Sequence, residues 1–555
     1  MSRRAAVLLA LPLLTACASS APPAAAPARP ARERTAVLLS INDVYRIEGV
    51  EGGKAGGLAR VRTLRQELER EHPDLLVVHA GDLLFPSFAS RMFKGEQMIS
   101  VLDVLDGDPV AFDRRMLAVF GNHEFEKPKL ADAGLLASRV KESQFHWLAG
   151  NVVFKKGEDG KPLVGGDNLS RTVLVESGGI RIGLVGLTIP TLGVEYVDDF
   201  QGPDVVAKKL SAELRRRGAE VVIALTHLTA AEDRGLLQTL GDAGPDLILG
   251  GHDHEHMAFQ VGSRWVLKAD ADARTATVVR LTLGADGRVR VEHDLRSLAG
   301  DSPRPDPKVQ AVVDEWQALH EKMFCEQAKA APGCLEEVYG RTQTMLGAEE
   351  TKIRGSETSL GDWVTDRMLA AFAVCGAQAA FINSGSLRLN QDLAAGTRIT
   401  RRHVEELFAY PTPLYLLRLD GATLQKVAEQ STRGWPGSGS WLQISGFAWV
   451  HDTQGKTATG LTLLTPQGPR PVRPDEEILA AVDDYLVNPE IGDQDGYIML
   501  QPSRIVGSCA ADGHDLKKVV ETALRAAQPQ GIAPRVEGRI CQPGQSPCLA
   551  HAAPN

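Results

Sequence analysis

The chain offers no basic stripe: at 555 residues it carries a formal net charge of −9 and a pI near 5.9, which excludes a nucleic-acid polymer as its partner. It contains no G-x-x-x-x-G-K-[ST] phosphate loop and no paired C-x-x-C, so it is neither a P-loop nucleotidase nor a zinc-ribbon module. Its N-terminal apolar run, Ala5 to Leu14, is too short to cross a bilayer. No repeat or low-complexity tract follows residue 35, which argues against a solenoid. What remains is 43% apolar and 24% charged, long enough for two or three domains with proper cores.

The N-terminus reads as an export signal. Arg3 and Arg4 precede the apolar run, and Leu14-Thr15-Ala16-Cys17 forms a lipoprotein box with Cys17 as the lipidated residue. Residues 1–17 are thus a signal peptide, and the Pro- and Ala-rich residues 18–35 are a tether that cannot build a core. The expected location is the periplasmic or cell-surface side of a bacterial membrane, with contact to the membrane through the lipid only. Six cysteines remain after Cys17. Cys325 and Cys334, and Cys541 and Cys548, lie close in sequence around turn residues, leaving Cys375 and Cys509. Local pairing suits an oxidising compartment, although six thiols permit several connectivities.

Five short apolar runs end abruptly at potential metal ligands. They are AVLLSIND ending at Asp43, DLLVVHAGD ending at Asp82, MLAVFGNHE with Asn122 and His123, VVIALTH ending at His227, and LILGGHDHE with His252 and His254. Runs of this composition read as strands buried on both faces. Leu58, Val61, Leu64 and Leu68 keep helical spacing up to Pro73, so strands alternate with helices in a layered α/β domain. Ligand sites of such domains collect at the carboxyl ends of the strands, where every candidate ligand stands. A lone Asp there is most often a turn former or a helix cap, and a lone His is most often structural. Convergence of five such ends is what outweighs that bland reading. Mixed oxygen and imidazole donors without cysteine suit Zn, Mn or Fe in an open catalytic site.

The succession of GD, GNHE, TH and GHDH resembles the calcineurin-like metallophosphoesterases, specifically the bacterial periplasmic and animal ecto-5'-nucleotidase family, from about residue 36 to about residue 505. The resemblance implies a four-layer α/β/β/α sandwich over residues 36–300, a linker with a helix over 301–344, an α/β substrate-binding domain over 345–540 and a tail over 541–555. It implies two divalent metal ions. Asp43, Asp82 and His254 would hold the first, and Asp82, Asn122, His227 and His252 the second, with Asp82 as the bridge. Two such ions roughly 3.5–4 Å apart activate water and neutralise charge in an in-line displacement. His123 would act as a catalytic group toward the phosphoryl or leaving oxygen, partnered by Glu126 where the family has Asp. The family's first motif is Asp-x-His, whereas here Tyr45 takes the place of the His. Tyr45 has three readings: a phenolate ligand favouring iron, a bystander that leaves the position to water, or a pocket-lining side chain.

In the C-terminal half, AAFINSGSLRLN matches the family's N-x-G-x-x-R segment, implying Asn383, Gly385 and Arg388 in substrate binding, with Arg354 as a second arginine. SWLQISGF and GDQDGY match the two segments that sandwich a nucleobase, here Trp441 and Tyr497. Such stacking contributes about 1–3 kcal/mol per base. A Trp among Leu and Ile is otherwise ordinary packing. The expected activity is hydrolysis of 5'-nucleotides to nucleoside and phosphate. The rivals are UDP-sugar or 2',3'-cyclic nucleotide hydrolysis, a thiosulfohydrolase-like activity, and a non-catalytic nucleotide-binding lipoprotein.

Overall fold

A computed structural model describes residues 32–489, 495–509 and 514–550. Cys17, the signal peptide and most of the tether lie outside the described residues. No helix among the described residues is long and apolar enough to cross a membrane.

Two sheets face each other in the N-terminal half. One runs in the order Val289–Ser297, Thr275–Leu283, Arg34–Ile41, Leu76–His79, Asp113–Val119, Phe145–Leu148, Leu169–Ser170. The other runs Met257–Val261, Arg264–Lys268, Leu247–Gly250, Val221–His227, Ile180–Thr188, Thr172–Ser177. Successive side chains of a strand point to opposite faces, so each central strand serves two cores. Leu38, Val78, Val119, Ile223 and Leu249 fill the space between the sheets. Their neighbours Val37, Leu39 and Val77 meet the helices Leu58–Glu71 and Pro307–Gln327 on one outside face. On the other outside face Val222, Ala224 and Ile248 meet the helices Pro203–Arg216 and Ala230–Leu240. This double burial is why the runs are apolar at most positions, and the result is the expected α/β/β/α sandwich.

Arg34–Ile41, Leu76–His79 and Asp113–Val119 are parallel neighbours, as are Val221–His227 and Leu247–Gly250. Their carboxyl ends therefore open on one edge of the sandwich. The C-terminal half is built on a further mixed sheet, Leu414–Asp420, Glu477–Asp483, Ala379–Asn383, Leu442–Ser445. The helix Ser359–Ala371 covers the face of Ala380, Ile382 and Ala481, and the helix Gly421–Arg433 covers that of Phe381, Leu417 and Val482. Disulfides join Cys325 to Cys334, Cys375 to Cys509 and Cys541 to Cys548. The segment read as a tail begins inside the fold, since Ile540–Cys541 pairs with Phe447–Asp452 and Cys541 is buried.

Candidate metal centre

The five strand ends bring their polar side chains to one place. Oxygen and nitrogen atoms of Asp43, Asp82 and His254 lie within 4.8 Å of one another, and all three residues are buried. His254 Nε2 is 3.3 Å from Asp43 Oδ1. His227 Nε2 is 3.2 Å from Asp82 Oδ2 and 3.2 Å from Asn122 Oδ1, and His252 Nδ1 is 3.2 Å from the same Asn122 oxygen. Asp82 thus stands between an Asp43–His254 group and an Asn122–His227–His252 group.

The backbone is bent to achieve this. Asp43, Asp82, His252 and His254 all have positive φ, at 50°, 55°, 83° and 64°. A non-glycine residue in that region costs on the order of 1–3 kcal/mol and persists only where its surroundings enforce it. The enforcing contacts come from inside the motifs. Both oxygens of Glu124, the last residue of GNHE, accept backbone N–H bonds, from Gly121 and Asp82 on one side and from Leu83 and Leu84 on the other. A Cβ at Gly121 would collide with the Asp82 carboxylate, so this turn accepts only glycine. Buried Lys268 donates to the carbonyls of Leu228 and Gly251 and pairs with Asp233 and Asp253, fixing the loop that carries His252 and His254. His227 Nδ1 faces the Ala80 carbonyl at 2.8 Å, which turns Nε2 toward the carboxylates.

The electrostatics match a cation site. Burial raises the Asp82 pKa, but His227 and His123 outweigh it and hold the carboxyl well below its ordinary range. Burial by itself would lower His227, yet the Asp82 and Asp43 carboxylates push it up to about 10. Burial and His227 push His252 down to about 3, leaving a neutral imidazole suited to ligation. Paired buried carboxylates with the neutral His252 imidazole and the Asn122 amide are donors that a borderline divalent ion takes, and an ion would displace the proton that the carboxylates hold on His227.

Tyr45 points into this set. Its hydroxyl lies 2.8 Å from His254 Nε2, 3.1 Å from Asp82 Oδ2 and 3.3 Å from Asp43 Oδ1. Beside the cluster, His123 Nδ1 is 2.7 Å from Glu126 Oε1, so the longer Glu reaches its histidine. His123 Nε2 is 3.8 Å from Asp82 Oδ2, outside the donor set but next to it.

The C-terminal half closes over the cluster. Arg388 lies over the rings of Tyr45 and Tyr410, at 5.9 Å from each centroid, and its Nε donates to the Gly385 carbonyl. Arg354 is buried against Glu350, and Asn383 is buried with its side-chain oxygen accepting from Ser386. Trp441 and Tyr497 stand elsewhere: they are 1% and 0% exposed within the core of the C-terminal half. The Tyr497 hydroxyl donates to the Ser440 carbonyl and the Trp441 indole to the Ser356 carbonyl, so their polar ends are satisfied.

Several participants leave no mark in the sequence. Tyr410 donates to Glu126 Oε1 at 2.8 Å across the domain boundary, and Glu350 reaches His254 from the same side. Neither sits in a patterned segment. Glu124 lies inside a motif and Lys268 ends an apolar strand, and those positions are the signals by which both can be found. Tyr410 holds the Glu126 carboxylate that orients His123, and a hydrogen bond to a charged group is worth about 1.5–3 kcal/mol. Tyr410→Phe is therefore expected to lower kcat about tenfold or more with KM little changed, measured by steady-state kinetics. An unchanged kcat would remove this role.

Residues 37–256 match the calcineurin-like phosphoesterase family, and residues 338–501 match the 5'-nucleotidase C-terminal domain. The chain belongs to the calcineurin-like phosphoesterases and carries the 5'-nucleotidase C-terminal domain. It is a hydrolase of phosphoesters. Human 5'-nucleotidase is 23% identical over 534 residues, covering 87% of this chain and 85% of its own. A 5'-nucleotidase precursor from Thermus thermophilus superposes with a TM-score of 0.72 at 21% identity, over 92% of this chain and 100% of that one. A sulfate thiohydrolase from Thermus thermophilus reaches 0.66 at 17% identity, over 93% of this chain and 98% of that one. The fold is thus shared by phosphoesterases and a thiohydrolase. Substrate identity has to be argued from side chains.

Proposed function

We propose that the protein is an exported, lipid-anchored two-metal phosphohydrolase that cleaves 5'-nucleotides to nucleoside and phosphate. The convergence of donors from five strand ends beside the His123–Glu126 pair carries this reading. Asp43, Asp82 and His254, joined by Tyr45, would hold one ion, and Asp82, Asn122, His227 and His252 the other. When bound, such ions supply Lewis acidity toward water and phosphoryl oxygens. Zn, Mn and Fe all fit the donors; burial and the Asp82 and Asp43 carboxylates push the Tyr45 phenol up, so its hydroxyl donates to both, and ligation by it requires an ion to displace that proton.

The chain's own groups do the rest. Arg388 and Arg354 present fixed positive charge toward phosphoryl or sugar oxygens, with Asn383 and Gly385 shaping the loop beneath Arg388. His123, oriented by Glu126, holds a proton at Nε2 for the phosphoryl oxygen or the leaving alkoxide. Metals on residues 36–300 and arginines on residues 345–540 make closure of the two halves part of turnover. The lipobox at Cys17 and the three disulfides support export, with attachment through the lipid.

One observation favours a second reading. The burial of Trp441 and Tyr497 fits a phosphoester whose recognition does not use a stacked base. Substrate profiling with AMP, UDP-glucose, a cyclic nucleotide and p-nitrophenyl phosphate, on protein of measured metal content, separates the possibilities. Two metal equivalents with preference for AMP are expected. Trp441→Phe keeps an aromatic ring in most of the buried space, whereas truncation to Ala would cost about 3–5 kcal/mol of stability. With a stacking role, Trp441→Phe raises KM for AMP and leaves p-nitrophenyl phosphate untouched. Equal handling of all substrates by both proteins would establish the second reading. One metal equivalent or none, without turnover, would leave a nucleotide-binding lipoprotein.

A further inference from the structure

Among the described residues, His254 is the one member of the donor set whose far ring nitrogen is met by the other half of the molecule. Its Nε2 faces Asp43 and Tyr45, while Nδ1 forms a close ion-pair contact, 2.9 Å from Glu350 Oε2, whose angle falls short of an aligned hydrogen bond; both side chains are almost fully buried. The other oxygen of Glu350 pairs with Arg354 and lies 3.7 Å from Arg388 Nη1. One carboxylate therefore joins a donor of the metal centre to both arginines of the substrate domain.

Glu350 is held there by a chain of contacts that crosses the boundary. Its backbone N–H donates to Asn390 Oδ1, and Asn390 Nδ2 donates to Asp272 Oδ2. Asp272 in turn accepts the backbone N–H groups of Tyr45 and Arg46, and its own N–H donates to the Asp43 carbonyl. Asp392 anchors the preceding turn by accepting from Ala348 and Glu349. The carboxylate is thus placed relative to the loop of Asp43 itself, not left on a free side chain.

We propose that Glu350 is a positioning residue for His254, so that the first metal position is completed from the C-terminal half and gains its full affinity only when the two halves are closed. A carboxylate on the far nitrogen of a ligating histidine fixes the ring and its tautomer, and loss of such a partner typically costs about 10–100-fold in metal affinity. The arrangement also couples the arginines to the metal through a single residue. The inference rests on the two-metal reading above.

The test is metal binding by the full chain, monitored by equilibrium dialysis against Mn and by the Mn electron paramagnetic resonance signal. Wild type is expected to bind two equivalents. Glu350→Gln, nearly isosteric, should weaken one equivalent about 10–100-fold, leave the other unchanged and reduce the signal of coupled ion pairs. Glu350→Asp should recover part of the loss. Glu405→Gln removes a carboxylate that pairs with Arg91 across the same boundary without touching a donor, and it should bind both equivalents normally. In His254→Ala the weakened equivalent should be absent, and adding Glu350→Gln should produce no further loss. Two equivalents of unchanged affinity in Glu350→Gln would overturn the proposal. So would equal losses in Glu350→Gln and Glu405→Gln, which would mark general loosening of the boundary. Failure of wild type to bind two ions would instead sink the two-metal reading.

Discussion

Asp82→Asn is expected to lower kcat/KM by about a thousandfold or more on AMP and on p-nitrophenyl phosphate alike, a barrier increase of about 4 kcal/mol. Asp82 faces both groups of donors, with Oδ2 near His227 and Tyr45 and Oδ1 accepting the His123 backbone N–H. A carboxamide keeps the size but replaces one acceptor oxygen with an NH₂ donor, which cannot face a cation. It also removes a buried negative charge that neighbouring imidazoles are arranged around. Metal content should fall together with activity, while far-ultraviolet circular dichroism stays that of wild type because the sheets do not depend on this charge. Retention of two equivalents with near-native kcat/KM would remove Asp82 from the bridging position.

His123→Ala separates catalysis from metal binding. A positioned acid or base contributes about 10²–10⁴-fold, so kcat should fall by that range with metal content unchanged. The expectation follows from geometry: His123 sits beside Asp82 at 3.8 Å and is tied to Glu126, outside the converging donors. Substrate choice then reads its role. If His123 protonates the leaving oxygen, the loss on p-nitrophenyl phosphate is much smaller than on AMP, because nitrophenolate leaves without a proton. If it stabilises the phosphoryl group, both substrates lose equally. A kcat equal to wild type on both would exclude the pair from catalysis, and a loss of metal would reassign His123 as a ligand.

The local features of the sandwich were readable because double burial writes itself into sequence. Val222 and Ile223 point to different cores, both apolar, so the run is apolar throughout and stops where the chain leaves the sheet edge. The helix expected from Leu58, Val61, Leu64 and Leu68 is present for the same reason, since its one buried stripe packs on that sheet. Tyr45 shows the limit of such reading. Its departure from Asp-x-His is visible in the sequence, but that the hydroxyl faces Asp43, Asp82 and His254 is not. Trp441 shows another limit: the motif implied a nucleobase contact, packing was its alternative, and the surrounding apolar side chains bury the ring.

By itself the sequence determined which side chains end the buried strands, and hence the donor types and the class of ion they suit, because strand burial and strand termination are local properties of a few consecutive residues. Only the tertiary structure decided that Glu350 stands behind His254 and Tyr410 behind Glu126. Those contacts join residues from opposite halves of the chain, and their separation in sequence leaves no periodicity or spacing to read. They exist because two independently packed cores meet at one surface, and which side chains face each other there is set by that docking.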